Sequence, residues 1–141
     1  MKFIVSLFFI TLFFSSCAIC KRSQKASNNS ASCTIENFTE IAFGSGGGFT
    51  GSVEGYRLLK NGRLMQGEKM IKTISKSQLK DLLTALESAN INSIKINDPG
   101  NLYYFIALKN SSSEHRVVWN DLTKDASALK SVYETLLLFT K

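Results

Sequence analysis

Residues 53–65 read VEGYRLLKNGRLM, two runs bearing apolar residues on either side of Asn61-Gly62. Asn-Gly between such runs is a strong short-range hairpin signal, because both residues accept positive φ and suit a type I′ turn. Val53 to Leu59 is therefore one strand, and Leu64-Met65 begins its antiparallel return. Upstream, Phe38 to Phe43 reads as a further strand, with Ile41 and Phe43 on one face and Phe38 and Ala42 on the other. Downstream, Met70 to Ile74 is a candidate to extend the sheet after Gln66-Gly67.

The pattern changes period at Ser75. Ser75 and Gln78 have the spacing of a capping box, in which each side chain satisfies an otherwise unpaired amide of the first helical turn. Leu79, Leu82, Leu83 and Leu86 follow as one apolar stripe, and Asn90 is the stop. Asp98-Pro99-Gly100-Asn101 is a turn. Leu102 to Leu108 is apolar on both faces, which marks an interior strand. Asn110 to Ser113 connects it to a strand over His115–Trp119. A second helix begins near Asp125 and buries Leu129, Val132, Tyr133, Leu136 and Leu137. Strands, helix, hairpin, helix define an α+β domain: an antiparallel sheet of about four to five strands with two helices packed on one face.

The amino terminus belongs to a different regime. Phe3 to Phe14 is an apolar run broken only by Ser6 and Thr11, and five of the ten phenylalanines lie in it. It is too short for a stable bilayer-spanning helix, which needs about 20 residues, and it suits the apolar region of a signal peptide over residues 1–16. Phe14-Ser15-Ser16-Cys17 resembles the lipobox of bacterial lipoprotein signal peptides. The resemblance implies cleavage before Cys17, a diacylglyceryl thioether on its sulfur, and a chain anchored by its acyl groups to membrane lipid of the bacterial cell envelope. The alternative is an ordinary secretory leader cut near Ser16 or Ala18. Residues 17–32 include KRSQKASNNSAS, which holds almost nothing to bury and reads as a flexible basic tether. Residues 33–141 then form the single α+β domain.

Charge follows the same division. The formal +6 of the whole chain includes Lys2 of the leader and Lys21, Arg22 and Lys25 of the tether. From Cys33 onward there are thirteen basic against eleven acidic residues. A basic stretch beside an acyl anchor favours anionic headgroups. The domain itself has no basic cluster interleaved with aromatics, which argues against nucleic acid as a partner.

Few residues could carry chemistry. Cys17 and Cys20 are formally a CxxC pair, but Lys21 follows where a haem site needs His, and lipid on Cys17 would leave no thiol pair. Cys20 and Cys33 are either disulfide-bonded across a polar loop or both free. Three cysteines and one histidine offer no metal-ligand set at usable spacing, and no cofactor motif is present. Gly46-x-Gly48-x-x-Gly51 has the spacing of a kinase phosphate-covering loop without the lysine, aspartate or chain length that a kinase needs. A strand rather than a helix follows it, which excludes a dinucleotide fingerprint.

The run Gly44 to Gly51 is thus expected to interrupt the sheet, either as backbone geometry alone or as a contact loop built on Gly46, Gly47, Gly48, Phe49 and Gly51. His115 reads as an exposed strand residue and Trp119 as packing. The expectation is a non-catalytic envelope lipoprotein whose domain binds an unknown protein or small ligand. An inhibitor that inserts the glycine-rich hairpin into a hydrolase, and a small hydrolase using His115 or Asp121, are the competing readings.

Overall fold

The computed structural model describes residues 32–141. At its centre β1 (Glu40–Gly47) and β2 (Ser52–Leu59) pair antiparallel along their whole length, from Glu40 opposite Leu59 to Gly47 opposite Ser52. β3 (Arg63–Gln66) and β4 (Lys69–Thr73) continue the meander. On the other side of β1 lies β5 (Leu102–Lys109), followed by β6 (Glu114–Trp119). The sheet has six strands, in the order β4-β3-β2-β1-β5-β6, one more than the upper end of the sequence expectation. β5 is interior, as its two apolar faces require. Beyond β6 the chain at Asn97 forms a single parallel bridge to Val118.

Both helices cover one face. α1 (Lys76–Ser88) starts at Ser75 with the expected reciprocal cap: the Gln78 amide donates to the Ser75 hydroxyl at 3.2 Å, and the Ser75 amide to Gln78 Oε1 at 2.9 Å. It ends just before Asn90, whose φ of 52° is left-handed. α2 (Ser127–Leu138) begins two residues later than expected. Leu82 and Leu86 of α1 meet Leu129, Val132, Tyr133 and Leu136 of α2 over Ile41, Phe43, Leu58, Ile106 and Trp119 of the sheet. Each such fully buried side chain contributes roughly 1.5–3 kcal/mol of transfer free energy. Phe38 corrects the sequence reading: it precedes β1, so strand alternation does not apply to it, and it packs into this core beside Ile41.

The hairpin at 60–63 also differs in detail. Gly62 alone has positive φ, at 86°, and its amide donates to the Leu59 carbonyl at 2.8 Å. Asn61 is not left-handed; its side chain instead accepts from the Arg63 amide at 3.1 Å. This is a three-residue loop closing on glycine rather than a type I′ turn.

The opposite face of the sheet carries no helix among the described residues. It combines a small apolar cluster (Ala42, Phe105, Ala107 and Val118) with a ladder of charges that crosses four strands. Arg57 pairs with Glu40 at 3.5 Å, Glu40 with Lys109 at 3.9 Å, Lys109 with Glu114 at 3.6 Å and Glu114 with Arg116 at 3.9 Å. The Arg116 guanidinium also lies 4.1 Å from the centre of the Phe105 ring.

Candidate functional site

The glycine-rich run does not interrupt the sheet where the sequence suggested. Gly44 to Gly47 are strand residues of β1, paired on both sides to β2 and β5. What lets glycine stand in an interior strand is its neighbours. A Cβ on Gly44 would lie 2.7 Å from the Gly55 Cα and closer still to the Glu54 carbonyl oxygen, so the two backbones approach where no side chain fits. A Cβ on Gly46 would lie 2.6 Å from the Tyr103 hydroxyl. The rings of β5 occupy the room that side chains on β1 and β2 would take, an arrangement in which cross-strand aromatics cover glycine.

The run therefore divides. Gly46 is buried in the sheet, and Gly47, with φ of 95°, begins the bend. Gly48 and Gly51 follow at φ of 72° and 64°. The loop is tied to its neighbour: the Gly48 amide donates to the Asn101 carbonyl at 2.7 Å, and the Gly51 amide to the Gly48 carbonyl at 3.2 Å. At the apex Phe49 stands wholly in solvent, at 108% relative exposure. Of the five residues named as a contact loop, Phe49 and Gly51 are the exposed part of the turn, Gly47 and the half-buried Gly48 lead into it, and Gly46 is part of the wall behind.

Two further loops reach the same end of the sheet. The 98–101 turn carries Leu102, 58% exposed, beside Gly48. The 120–126 loop carries Leu122, 91% exposed. The loops are bonded to one another: the Asn120 side-chain amide donates to the Asp98 carbonyl at 3.1 Å, and the Thr123 hydroxyl to the Asp98 carboxylate at 2.7 Å. Leu102 lines two hollows of about 290 Å³ each. One is walled by Ser45, Ser52, Glu54 and Tyr104, the other by Asn101, Asn120, Asp121 and Leu122. Sequence reasoning missed Leu102 and Leu122, since a lone leucine beside a turn carries no signal of its own.

A third hollow, about 230 Å³, lies between Tyr104, Asp121, Lys130 and Glu134, floored by Trp119 and Tyr133. The Trp119 and Tyr133 rings meet edge to face at 5.6 Å, and both are buried, so their faces are committed to the core. Burial pushes the Tyr133 phenol above its ordinary pKa, opposed in part by a hydrogen bond with Ser45.

His115 and Asp121 are not brought together. His115 lies near the start of β6 and Asp121 beyond its end, and the four residue steps from His115 to Trp119 alone span roughly 13 Å. His115 is also not the exposed residue expected. It sits half-buried on the helix face of the sheet, and its Nε2 is 2.8 Å from the Ile91 carbonyl, to which it is bonded. Cys33 is buried and has no disulfide partner among the described residues; its thiol is raised in pKa by burial and by the negative charge of Glu114. Cys17, Cys20 and the signal-peptide and tether readings lie outside the described residues. Among the described residues no three His, Cys, Asp or Glu side chains gather as a metal site, and no helix is long and apolar enough to cross a membrane.

The fold and this end of it define a class by shape alone, an α+β domain presenting three bonded loops with apolar tips. No family model matches the chain, and a search of curated proteins finds no match.

Proposed function

We propose that this chain is a lipid-anchored protein of the bacterial cell envelope whose α+β domain works by contact rather than by turnover. The single observation that supports contact is Phe49, a large aromatic side chain left entirely in water at the apex of a hairpin whose backbone is bonded in place. Solvating such a ring is unfavourable, and burying an aromatic of this size against a partner is a common source of binding energy. Direction supports the same reading. The described chain enters at the Glu40 end of β1, and the loops lie at the Gly47 end, a strand of roughly 25 Å away. A domain tethered through Cys17 by the flexible segment expected over 17–32 would leave the loop end, remote from the attachment, free to meet a partner.

Two measurements test the proposal separately. Cys17→Ser should move the protein from the membrane fraction to the soluble one and abolish labelled-palmitate incorporation; a membrane-bound, unlabelled parent would overturn the anchor. Phe49→Ser should leave the melting temperature within a degree or two and abolish cross-linking to whatever the parent contacts in cells. An undiminished cross-link would overturn the contact surface. If the captured partner is a hydrolase whose rate falls on binding, the contact is inhibitory.

A further inference from the structure

Phe49 and Leu122 stand on separate loops and Leu102 at the start of β5, just after a third, yet the hydrogen bonds from Gly48 to Asn101 and from Asn120 and Thr123 to Asp98 bind those loops into one surface. The charges on it decide what can cover it. Glu54, Asp98, Asp121 and Asp125 are all exposed there, against Lys124 and the half-buried Lys130, whose ammonium donates to the Asp121 carbonyl at 3.3 Å. The remainder of the domain has the opposite balance, eleven basic residues against seven acidic. A second copy docking loop to loop would bring four carboxylates against four. An anionic bilayer would meet the same repulsion. A partner rimmed with cations would meet none.

The shape narrows the partner further. Leu102 stands as a ridge between the two hollows, and each hollow holds one of these carboxylates, Glu54 in the first and Asp121 in the second. At about 290 Å³ each is large enough to admit a long side chain. We infer that the loop surface is a docking site for a protein segment that presents an apolar side chain flanked by lysine or arginine, the apolar group packing on Phe49, Leu102 and Leu122 and the two cations entering the hollows toward Glu54 and Asp121. This rests on the contact reading above and names its partner's chemistry. The Asp98 carboxylate, held by the Thr123 hydroxyl, keeps the two loops in register rather than receiving a cation. The attraction is partly screened and so salt-dependent, while the apolar part is not.

The test uses the full-length protein in phosphatidylcholine nanodiscs and two fluorescent peptides of equal length, one repeating leucine and lysine, the other leucine and glutamate. The lysine peptide should bind, with its dissociation constant raised at least tenfold by Phe49→Ser combined with Leu122→Ser, and about as much by Glu54→Gln combined with Asp121→Asn. Met70→Ser, an exposed apolar side chain on β4, should change nothing. Raising salt from 50 to 500 mM should weaken parent binding and leave the Glu54→Gln, Asp121→Asn protein much less affected. Equal binding of the two peptides would overturn the inference, as would lysine-peptide binding indifferent to the loop variants. Concentration-dependent self-association abolished by Phe49→Ser would assign the surface to a second copy instead. Release of the Cys17→Ser protein into the soluble fraction is scored independently. A soluble parent with intact peptide binding removes only the anchor, and a membrane-held parent without peptide binding removes only this site.

Discussion

Gly44→Ala puts the β1–β2 contact to a direct test. The added methyl would sit 2.7 Å from the Gly55 Cα and closer to the Glu54 carbonyl oxygen. Both obstacles are backbone, so no side chain can swing aside, and the strands must part by at least ~0.7 Å to restore an ordinary carbon contact. Forcing a methyl into a filled interior costs about 1–3 kcal/mol, and an obstacle made of backbone places this one at the upper end. Alanine recovers about 0.4–1 kcal/mol by restricting the unfolded chain, leaving a net loss of about 2 kcal/mol. For a domain of this size each kcal/mol moves the thermal midpoint by roughly 4 °C, so the midpoint should fall by about 8 °C. Urea denaturation should show the same loss at an unchanged slope. Gly51→Ala is the control: nothing lies within 4 Å of its Cβ, but its φ of 64° is left-handed, which predicts a loss near 1 kcal/mol. Gly46→Ala should fall between the two, because the Tyr103 ring can move outward. A Gly44→Ala protein melting within 2 °C of the parent would refute the close approach of the two strands.

Three further outcomes follow from named groups. The Tyr133 phenol is raised above its unfolded pKa of about 10, so its contribution to stability is complete below that pH and is lost as pH rises through the higher folded value. Thermal midpoints between pH 8 and 11.5 should therefore decline more steeply for the parent than for Tyr133→Phe, and parallel curves would discount the effect. The Cys33 thiol, 1% exposed and raised in pKa, should resist alkylation at pH 8 in the folded protein and react at the rate of an ordinary thiol in 6 M guanidinium; labelling of the native state at the unfolded rate would contradict its burial. Ser75→Ala removes the hydroxyl that accepts from the Gln78 amide and should cost about 1 kcal/mol by urea denaturation, with Ser75→Asp largely retaining stability.

The elements that announced themselves in the sequence are those whose determinants are local. Ser75 and Gln78 are three residues apart and satisfy each other, and the stripe from Leu79 to Leu86 needs only a helical period to be seen. The hairpin around Gly62 was legible for the same reason, although its turn type depended on whether Asn61 used its side chain or its backbone. Gly44 and Gly46 are the contrary case. In sequence they look like a break, because what tolerates them in a strand is Tyr103 and the close approach of the β2 backbone at Gly55, and Tyr103 lies more than fifty residues downstream. His115 was misjudged for a similar reason, its partner being a backbone carbonyl at Ile91. Phe38 was placed on the wrong face by extending a strand period past the strand's first residue.

The candidate site was half visible. Phe49 could be named from the glycines around it, but its relation to Leu102 and Leu122 exists only once the sheet order places three connections at one end.

The run from Ile96 to Asp98 lies along the outer side of β6, where the Val118 amide donates to the Ile96 carbonyl at 3.0 Å and the Asp98 amide to the Val118 carbonyl at 2.9 Å. At that point of the edge both backbone hydrogen bonds of Val118 are taken by the protein's own chain. At the far side, β4 is only five residues long and bears Lys69 and Lys72, whose ammonium groups resist being stripped of water by an incoming strand. Each flank therefore carries a feature that hinders strand addition by another copy, a covering segment near the end of β6 and charge with short length at β4.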